Sequence, residues 1–357
     1  MNATRFTGPV LPTGEATQLW VVDGRVTHEP QPGAETVASG WIVPGLVDAH
    51  NHLGLDDPGA VSDEETERQA LADRDAGALL LRDCGSPADT RWVQEREDLP
   101  RLIRAGRHVA RTRRYIRNFG HEVEPEELAE HVAREARSGD GWVKLVGDWI
   151  SREEGDLAPS FPPAAFAEAI EVAHRHGAKV TAHCFGREVL QGLLDAGIDC
   201  IEHGTGLSVD HVEQMAAAGV ALVPTVMQTA KFPEFAAGGR EKFPDYSATM
   251  EELYARRREV LMSAHEAGVA MYVGSDGGGP ARHGHLAGEA LAMAEMGLPV
   301  EDVLAAVSWR GREWLGWNAD LAEGAPADFV VYDRDPRGDL SVLYEPARVV
   351  LRGRVVA

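Results

Sequence analysis

Cysteine is nearly missing from this chain. Cys84, Cys184 and Cys200 are the three thiols in 357 residues. Three thiols make no paired framework, and none shows a metal-type Cys spacing, which argues against a disulfide-built scaffold. Basic residues are also short in number: Lys+Arg is 35 against Asp+Glu 57, a net charge of -22. That balance argues against nucleic acid or an anionic membrane surface as partner. No stretch approaches the ~18 apolar residues of a membrane span. The opening MNATRFTGPVLPTGEAT has no basic flank followed by an apolar core, so no secretory signal is expected. The expectations are a cytoplasmic protein with reduced thiols and a small-molecule substrate. A homo-oligomer is compatible with this composition. The hydrophobic share, 44%, is ample for a large core.

Residues 1–43 read as short strands and turns. Gln18-Leu19-Trp20-Val21-Val22, Asp23-Gly24 and Arg25-Val26-Thr27 form a hairpin signal. From Leu46 onward, strand-like and helix-like segments alternate. Helices are expected at 63–77, 125–137, 163–176, 186–196, 208–218 and 247–267, then near 287–296, 300–308 and 310–316. Four of them end at a glycine: Gly177, Gly197, Gly219 and Gly268. Strands are expected at 46–50, 78–83, 107–111, 142–146, 178–183, 199–203, 221–225 and 269–276. Eight strands in helix–Gly–strand repeats make a closed (β/α)8 barrel the natural architecture, with an open doubly wound sheet as the alternative. Strand-like segments return at 328–332 and 349–356. The expected organisation is therefore a barrel over 45–319 and a small β-sandwich built from 1–44 and 320–357.

A barrel carries its chemistry at the C-terminal ends of its strands. The first strand closes with His50-Asn51-His52, after Pro44-Gly45. Side chains at i and i+2 of a strand share a face, so His50 and His52 converge, with Asp48 on the same parity. Imidazoles at that spacing suit zinc and similar ions. The fifth strand ends in His183, the sixth in His203 and the eighth in Asp276. One such histidine is commonly a hydrogen-bonded structural residue, but four at strand ends of one barrel point to a metal site. Two further His-x-His runs, His174/His176 before Gly177 and His283/His285 in a Gly-rich loop, have simpler readings as a helix end and a loop.

Lys144 interrupts the apolar run Val143-Lys144-Leu145-Val146. A lysine in a barrel mouth is costly unless paired or neutralised. One reading is a buried salt bridge to Asp48, Asp83 or Asp276. The other is a lysine carboxylated by CO2, an anionic ligand with two oxygens. Two divalent metals bring a formal +4, and a carbamate, Asp276 and a bound hydroxide would offset most of it.

The run Val43-Pro44-Gly45-Leu46-Val47-Asp48-Ala49-His50-Asn51-His52 resembles the opening signature of the amidohydrolase superfamily. Ile201-Glu202-His203-Gly204, Gly274-Ser275-Asp276, His283-Gly284 and Ala325-Pro326-Ala327-Asp328-Phe329-Val330-Val331-Tyr332 are similar to its prolidase and imidazolonepropionase-like branch. The likeness covers nearly the whole chain. It implies a distorted barrel with a small β-sandwich from both ends. It also implies a binuclear centre, zinc or manganese. His50 and His52 would hold the more buried metal, His183 and His203 the more exposed one. Carboxylated Lys144 would bridge, and Asp276 would bind metal and transfer protons. Two departures stand out. Dipeptidases of this branch carry a Thr-Gly-Gly run shortly after the lysine, where this chain has Leu145-Val146-Gly147-Asp148-Trp149. The branch's His-Gly-x-Asn reads His283-Gly284-His285-Leu286 here. Both loops shape substrate binding.

The expected reaction is cleavage of an amide or peptide-like C–N bond in a dipeptide, an N-acyl amino acid or a cyclic amide, by a metal-bridging hydroxide. His283 is a candidate to hydrogen-bond the oxyanion, or is a loop histidine without a role. Arg113, Tyr115, Arg117 and His121 follow the third strand. They are candidates to grip a substrate carboxylate, or the arginines pair with Glu122, Glu124 and Glu126. A lactonase or phosphoesterase on the same site is the alternative within enzymes. A mononuclear deaminase would leave Lys144 without a task. A non-catalytic barrel scaffold would be expected to have eroded ligands.

Overall fold

The structure is a computed structural model that describes residues 3–57, 59–279 and 281–357. Seven parallel barrel strands follow in order: Leu46–Asn51, Ala78–Asp83, a third in two pieces (Arg101–Arg104 and Val109–Arg111), Trp142–Val146, Lys179–Cys184, Cys200–His203 and Ala221–Val223. An irregular eighth segment closes the ring. Met271 pairs in parallel with Leu222, and Gly277 with Asn51. The Ala49 amide donates to the Val273 carbonyl at 2.8 Å, and the Asp276 amide to the His50 carbonyl at 2.8 Å. The barrel is distorted where the third strand breaks. Its first piece pairs with Ala78–Asp83, and its second meets the fourth strand at Val109 and Leu145. Gly106 sits in that break at φ 77°, where a Cβ would lie 2.2 Å from the Glu135 carboxylate.

Side-chain parity sorts each strand into an outer and an inner face. Val143 and Leu145 pack outward against the helices, as do Val180, Ala182 and Cys184. Lys144, Thr181 and His183 are the alternating residues left to the interior. The floor of the barrel is apolar apart from Arg82: Val47, Ala49, Leu80, Ile103 and Val223 cluster with Trp142. The helix Trp309–Trp314 covers the floor from below, its Trp314 ring 5.3 Å from Trp142. Each fully buried aliphatic side chain of this kind stabilises the fold by about 1.5–3 kcal/mol.

The helices expected at 63–77, 163–176, 186–196 and 208–218 are Asp63–Asp75, Pro163–Arg175, Glu188–Asp195 and Val209–Ala218. Ser62 caps the first of these through the Glu65 amide, with Asp63, Glu64 and Glu65 in its first turn. Several elements went unread in the sequence, and two of these features contribute to a cavity at the strand ends. One is a hairpin of Asp148–Ile150 with Leu157–Pro159. The other is a pair of helices, Val226–Thr229 and Phe232–Gly239, after the seventh strand. The hairpin strands are three residues long and the second helix ends in two glycines, so neither shows a clear period.

Strands from both ends of the chain join in one eight-stranded sheet. Trp41–Pro44 pairs antiparallel with Phe329–Tyr332, with Val43 opposite Val330. Alternation gives this sheet two apolar faces. Ile42, Phe329, Val331 and Val350 pack with Phe6, whose ring meets Phe329 edge-on at 4.9 Å. Val43, Val330, Val349 and Leu351 turn the other way and join the core against the barrel helices. Among the described residues no helix is long and apolar enough to cross a membrane.

Candidate metal centre

His50, His52, Lys144, His183, His203 and Asp276 line one cavity at the C-terminal ends of the strands. Two close groups form there. His50 Nε2 lies 3.1 Å from His52 Nε2, and Asp276 Oδ1 lies 3.1 Å and 3.3 Å from those two nitrogens. Across from them, His183 Nδ1 is 2.9 Å from His203 Nε2. Lys144 Nζ sits 3.3 Å from His50 Nε2. Among the described residues Lys144 makes no ion pair. The alternative reading, a bridge to Asp48, Asp83 or Asp276, finds no such pair among the described residues: Asp48 and Asp83 are engaged with backbone amides and Asp276 with the histidines.

The rings are held from behind, which sets the nitrogen each one offers. His52 Nδ1 is 2.7 Å from the Gly85 carbonyl, which only accepts. That nitrogen therefore carries the proton. Burial pushes the His52 imidazole down to about 4, so the ring is neutral and Nε2 is a bare lone pair. It faces a carboxylate oxygen, an arrangement that repels unless a cation is shared. Burial likewise lowers His203 to about 3 and lowers His183. His203 Nδ1 is bonded to Thr225 Oγ1 at 2.6 Å. For His50, burial and Lys144 pull the pKa down, and the Glu202 and Asp276 carboxylates outweigh them. Those carboxylates attract positive charge to Nε2, and a metal ion meets that demand as a proton does. The donor set of neutral imidazoles plus a carboxylate held well below its usual range by His50 and His52 fits divalent metal.

His50 has the most elaborate support. Its Nδ1 bonds Glu202 Oε2 at 2.7 Å. Glu202 Oε1 in turn accepts from Arg82 Nη2 at 2.6 Å and from the Thr181 hydroxyl. The Arg82 guanidinium is sandwiched between the Trp142 and Trp314 rings, 4.6 Å and 4.8 Å from their centroids. Burial would push the Glu202 carboxyl up, but Arg82 and His50 hold it well below its usual range. His50, Cys84 and Glu202 also lie close enough to hold an ion. That group is already satisfied: Glu202 is spent on Arg82 and His50, and burial keeps the Cys84 thiol protonated.

Asp48 does not touch a ligand ring. It accepts from the Ser275 amide (2.9 Å), the Ser275 hydroxyl (2.5 Å), the His50 amide (3.2 Å) and Asn51 Nδ2 (3.0 Å). It fastens the first strand to the residue before Asp276. Gly274 makes that approach possible, since a Cβ there would lie 2.4 Å from His50 Cβ. His203, Thr225 and Asp276 all have positive φ, 66°, 42° and 54°. Backbone strain of this kind gathers at functional sites.

The other expected site residues are scattered. Tyr115 lines the cavity. Arg113 is exposed and off its wall. His121 bonds Glu135 at 3.1 Å, outside the cavity. Arg111, not Arg113 or Arg117, pairs with Glu124. His283 Nδ1 bonds Asp73 at 2.8 Å, and Asp73 also accepts from the Gly284 amide and from Asn51. That pairing turns His283 into a brace of the loop, off the cavity wall. His174 bonds Asp199 at 2.8 Å. His176 terminates the helix Pro163–Arg175, and His285 precedes the helix Leu286–Glu295. Sequence reading missed Arg82, Glu202, Thr225 and His108. His108 is wholly buried and stacks on His52 at 4.9 Å. The signal that singled out Lys144 also marks Arg82 in Leu79-Leu80-Leu81-Arg82 and Glu202 in Cys200-Ile201-Glu202: a charge inside an apolar strand.

The sequence profile of the amidohydrolase family matches residues 41–356. An uncharacterized protein of Mycobacterium tuberculosis (strain ATCC 25618 / H37Rv) is 52% identical over 347 residues, 96% of this chain and 93% of that one. An imidazolonepropionase of Chromobacterium violaceum is 28% identical over 345 residues, 82% of this chain and 77% of that one. The fold is shared with the crystal structure of a Xaa-Pro dipeptidase with bound methionine in the active site. The TM-score is 0.84 at 19% identity, covering 99% of both chains.

Proposed function

The chain belongs to the amidohydrolase family, and from that premise we propose that it hydrolyses an amide-type C–N bond of a small molecule at a centre of two divalent cations. The observation that carries this reading is the convergence of four imidazoles and one carboxylate, with the His52 lone pair aimed at Asp276. His50, His52 and Asp276 would hold one cation, and His183 and His203 the other. Zinc or manganese suits such nitrogen and oxygen donors. Lys144 is buried with no counter-ion among the described residues, which is costly for an ammonium. Adding CO2 to its amine, with loss of a proton, would give an anionic carbamate whose oxygens suit divalent cations. The three cysteines are free and buried, which supports a reducing, cytoplasmic setting.

When bound, the cations polarise the carbonyl and bring deprotonation of a water toward neutral pH. Asp276 takes the proton of that water and delivers it to the leaving nitrogen. Tyr115, whose ring is 5.9 Å from that of His183, offers a hydroxyl to the carbonyl oxygen. Burial pushes its phenol up, so it stays a neutral donor. Glu202 and Arg82 keep His50 oriented throughout.

Elemental analysis of protein purified without chelator tests the centre, with about two divalent ions per chain expected. Chelation should abolish hydrolysis of N-acyl amides, and zinc or manganese should restore it. Metal-free protein that hydrolyses them at full rate would end this reading.

A further inference from the structure

The cavity over the centre has a volume of about 360 Å³, the scale of a small organic ligand. Beyond the six converging groups its wall is formed mainly by Tyr115, Ile116, Trp149, Phe185, Phe235 and Tyr246. The aromatic part is continuous with the centre. Tyr115 meets Trp149 edge-on at 4.8 Å, Trp149 lies 5.3 Å from the His183 ring, and Phe185 lies 4.2 Å from it. The wall residues other than the centre are all uncharged. Among the described residues no arginine lines it, and Lys144 is its one lysine.

Of the cations around the wall, Arg113, Arg117 and Arg152 are exposed and off it, and four more are engaged. Arg114 Nη2 donates to the carbonyls of Trp149, Ala158 and Pro159, at 3.3, 2.9 and 3.4 Å, and so ties the Tyr115 loop to the hairpin. Arg111 pairs with Glu124 at 2.9 Å, and Arg187 with Glu252 at 2.6 Å. Lys231, which does not line the cavity, donates to Gln228 Oε1 at 3.0 Å, so Gln228 presents its NH2 as a donor. A substrate carboxylate would be desolvated here with no counter-ion from the wall. Cations held by the six converging groups would serve the scissile carbonyl. The net charge of -22 further opposes an anion's approach.

We infer that the substrate is an uncharged amide bearing an aromatic or branched aliphatic group and no free carboxylate. This rests on the amide-hydrolase reading above. Water oxygen bonds to the carbonyl carbon, the C–N bond breaks, and the water proton ends on the amine. Charge first appears on the products, an acid and an amine.

Matched pairs test the inference: benzoyl-phenylalanine against its carboxamide, and acetyl-phenylalanine against its carboxamide. The metal-loaded protein should hydrolyse each carboxamide at least tenfold better in kcat/KM than the acid. Binding of the same four compounds is read by tryptophan fluorescence, with Trp149→Phe as the control for the reporter. The carboxamides should bind at least tenfold more tightly. Ile116→Ser, at the exposed rim, should weaken the benzoyl compounds more than the acetyl ones. Equal or better use of the acids overturns the inference. So does a preference for the acids that disappears in Arg113→Ala or Lys231→Met. Binding that favours the carboxamides without hydrolysis of any compound supports the uncharged ligand and removes the amide-hydrolase reading instead.

Discussion

The two imidazole pairs of the centre are built differently. The His50–His52 pair is braced on every side. His50 leans on Glu202, Arg82 and two tryptophans, and His52 on the Gly85 carbonyl. The His183–His203 pair has less behind it. His203 bonds the Thr225 hydroxyl, while His183 Nε2 is buried with no hydrogen-bond partner among the described residues and lies 3.9 Å from the Asp148 carboxylate. Asp148 is taken up by the amides of Phe185 and Gly186. One half of the centre is thus fixed by charge in the barrel's interior, and the other by a single hydroxyl at its mouth. Stiff support holds a ligand in one geometry and raises its basicity. The first pair should therefore bind the tighter cation.

The largest effect should come from the group shared by catalysis and the first pair. Asp276→Asn should keep the fold and lower turnover at least a thousandfold, checked by steady-state kinetics beside circular dichroism. Activity within tenfold of the parent would take proton transfer away from Asp276. Next comes the brace itself. Glu202→Gln leaves Arg82 buried without its counter-ion, and breaking a buried pair costs about 3–5 kcal/mol. Both thermal stability and the tighter cation should be lost. An unchanged melting temperature would mean that Arg82 has another anchor.

Lys144 shares the cavity with both pairs, its Nζ 3.3 Å from His50 Nε2, and the proposed carbamate would join them into one centre. Lys144→Ala should lose metal and activity together, with partial rescue by short carboxylic acids that refill the two oxygen positions. Lys144→Arg should not help, because guanidinium stays cationic. A salt-bridge lysine predicts the reverse order, with arginine tolerated and acids inert.

Thr225→Val should be milder. It removes the one hydroxyl behind His203, and affinity for the weaker cation alone should fall about 10–100-fold. Competition with a graded chelator reads this, since the two cations should leave in separate steps. A single step, equally shifted by Thr225→Val and Glu202→Gln, would erase the contrast between the pairs. The smallest effect is expected at His174→Ala, where the lost contact is a half-exposed pair with Asp199 on the far side of the barrel. Metal content should not change.

The sequence determined a good deal by itself. Repeated helix–Gly–strand units and apolar strands of fixed parity specify a parallel barrel, because a buried strand has one face for helices and one for the interior. The same parity aligned His50 with His52, and strand ends located His183, His203 and Asp276. Local pattern reaches no further than that. The brace of His50 joins Arg82 on the second strand to Glu202 on the sixth, 120 residues apart. Each reads alone as an odd charge in an apolar run. Closure of the ring makes them a pair, since only then does one low-dielectric interior hold both. His283 shows the converse. Its place beside Gly284 in the loop after the eighth strand suggested chemistry, but a helix early in the chain supplies Asp73 and turns the ring aside. Apart from Tyr115, the cavity wall was equally out of reach of the sequence. Its aromatics come from two loops, a short hairpin and two helices that carry no shared period, and only packing brings them over the strand ends. Parity and periodicity are properties of one element at a time, whereas counter-ions and cavity walls arise between elements, and tertiary structure alone decides those.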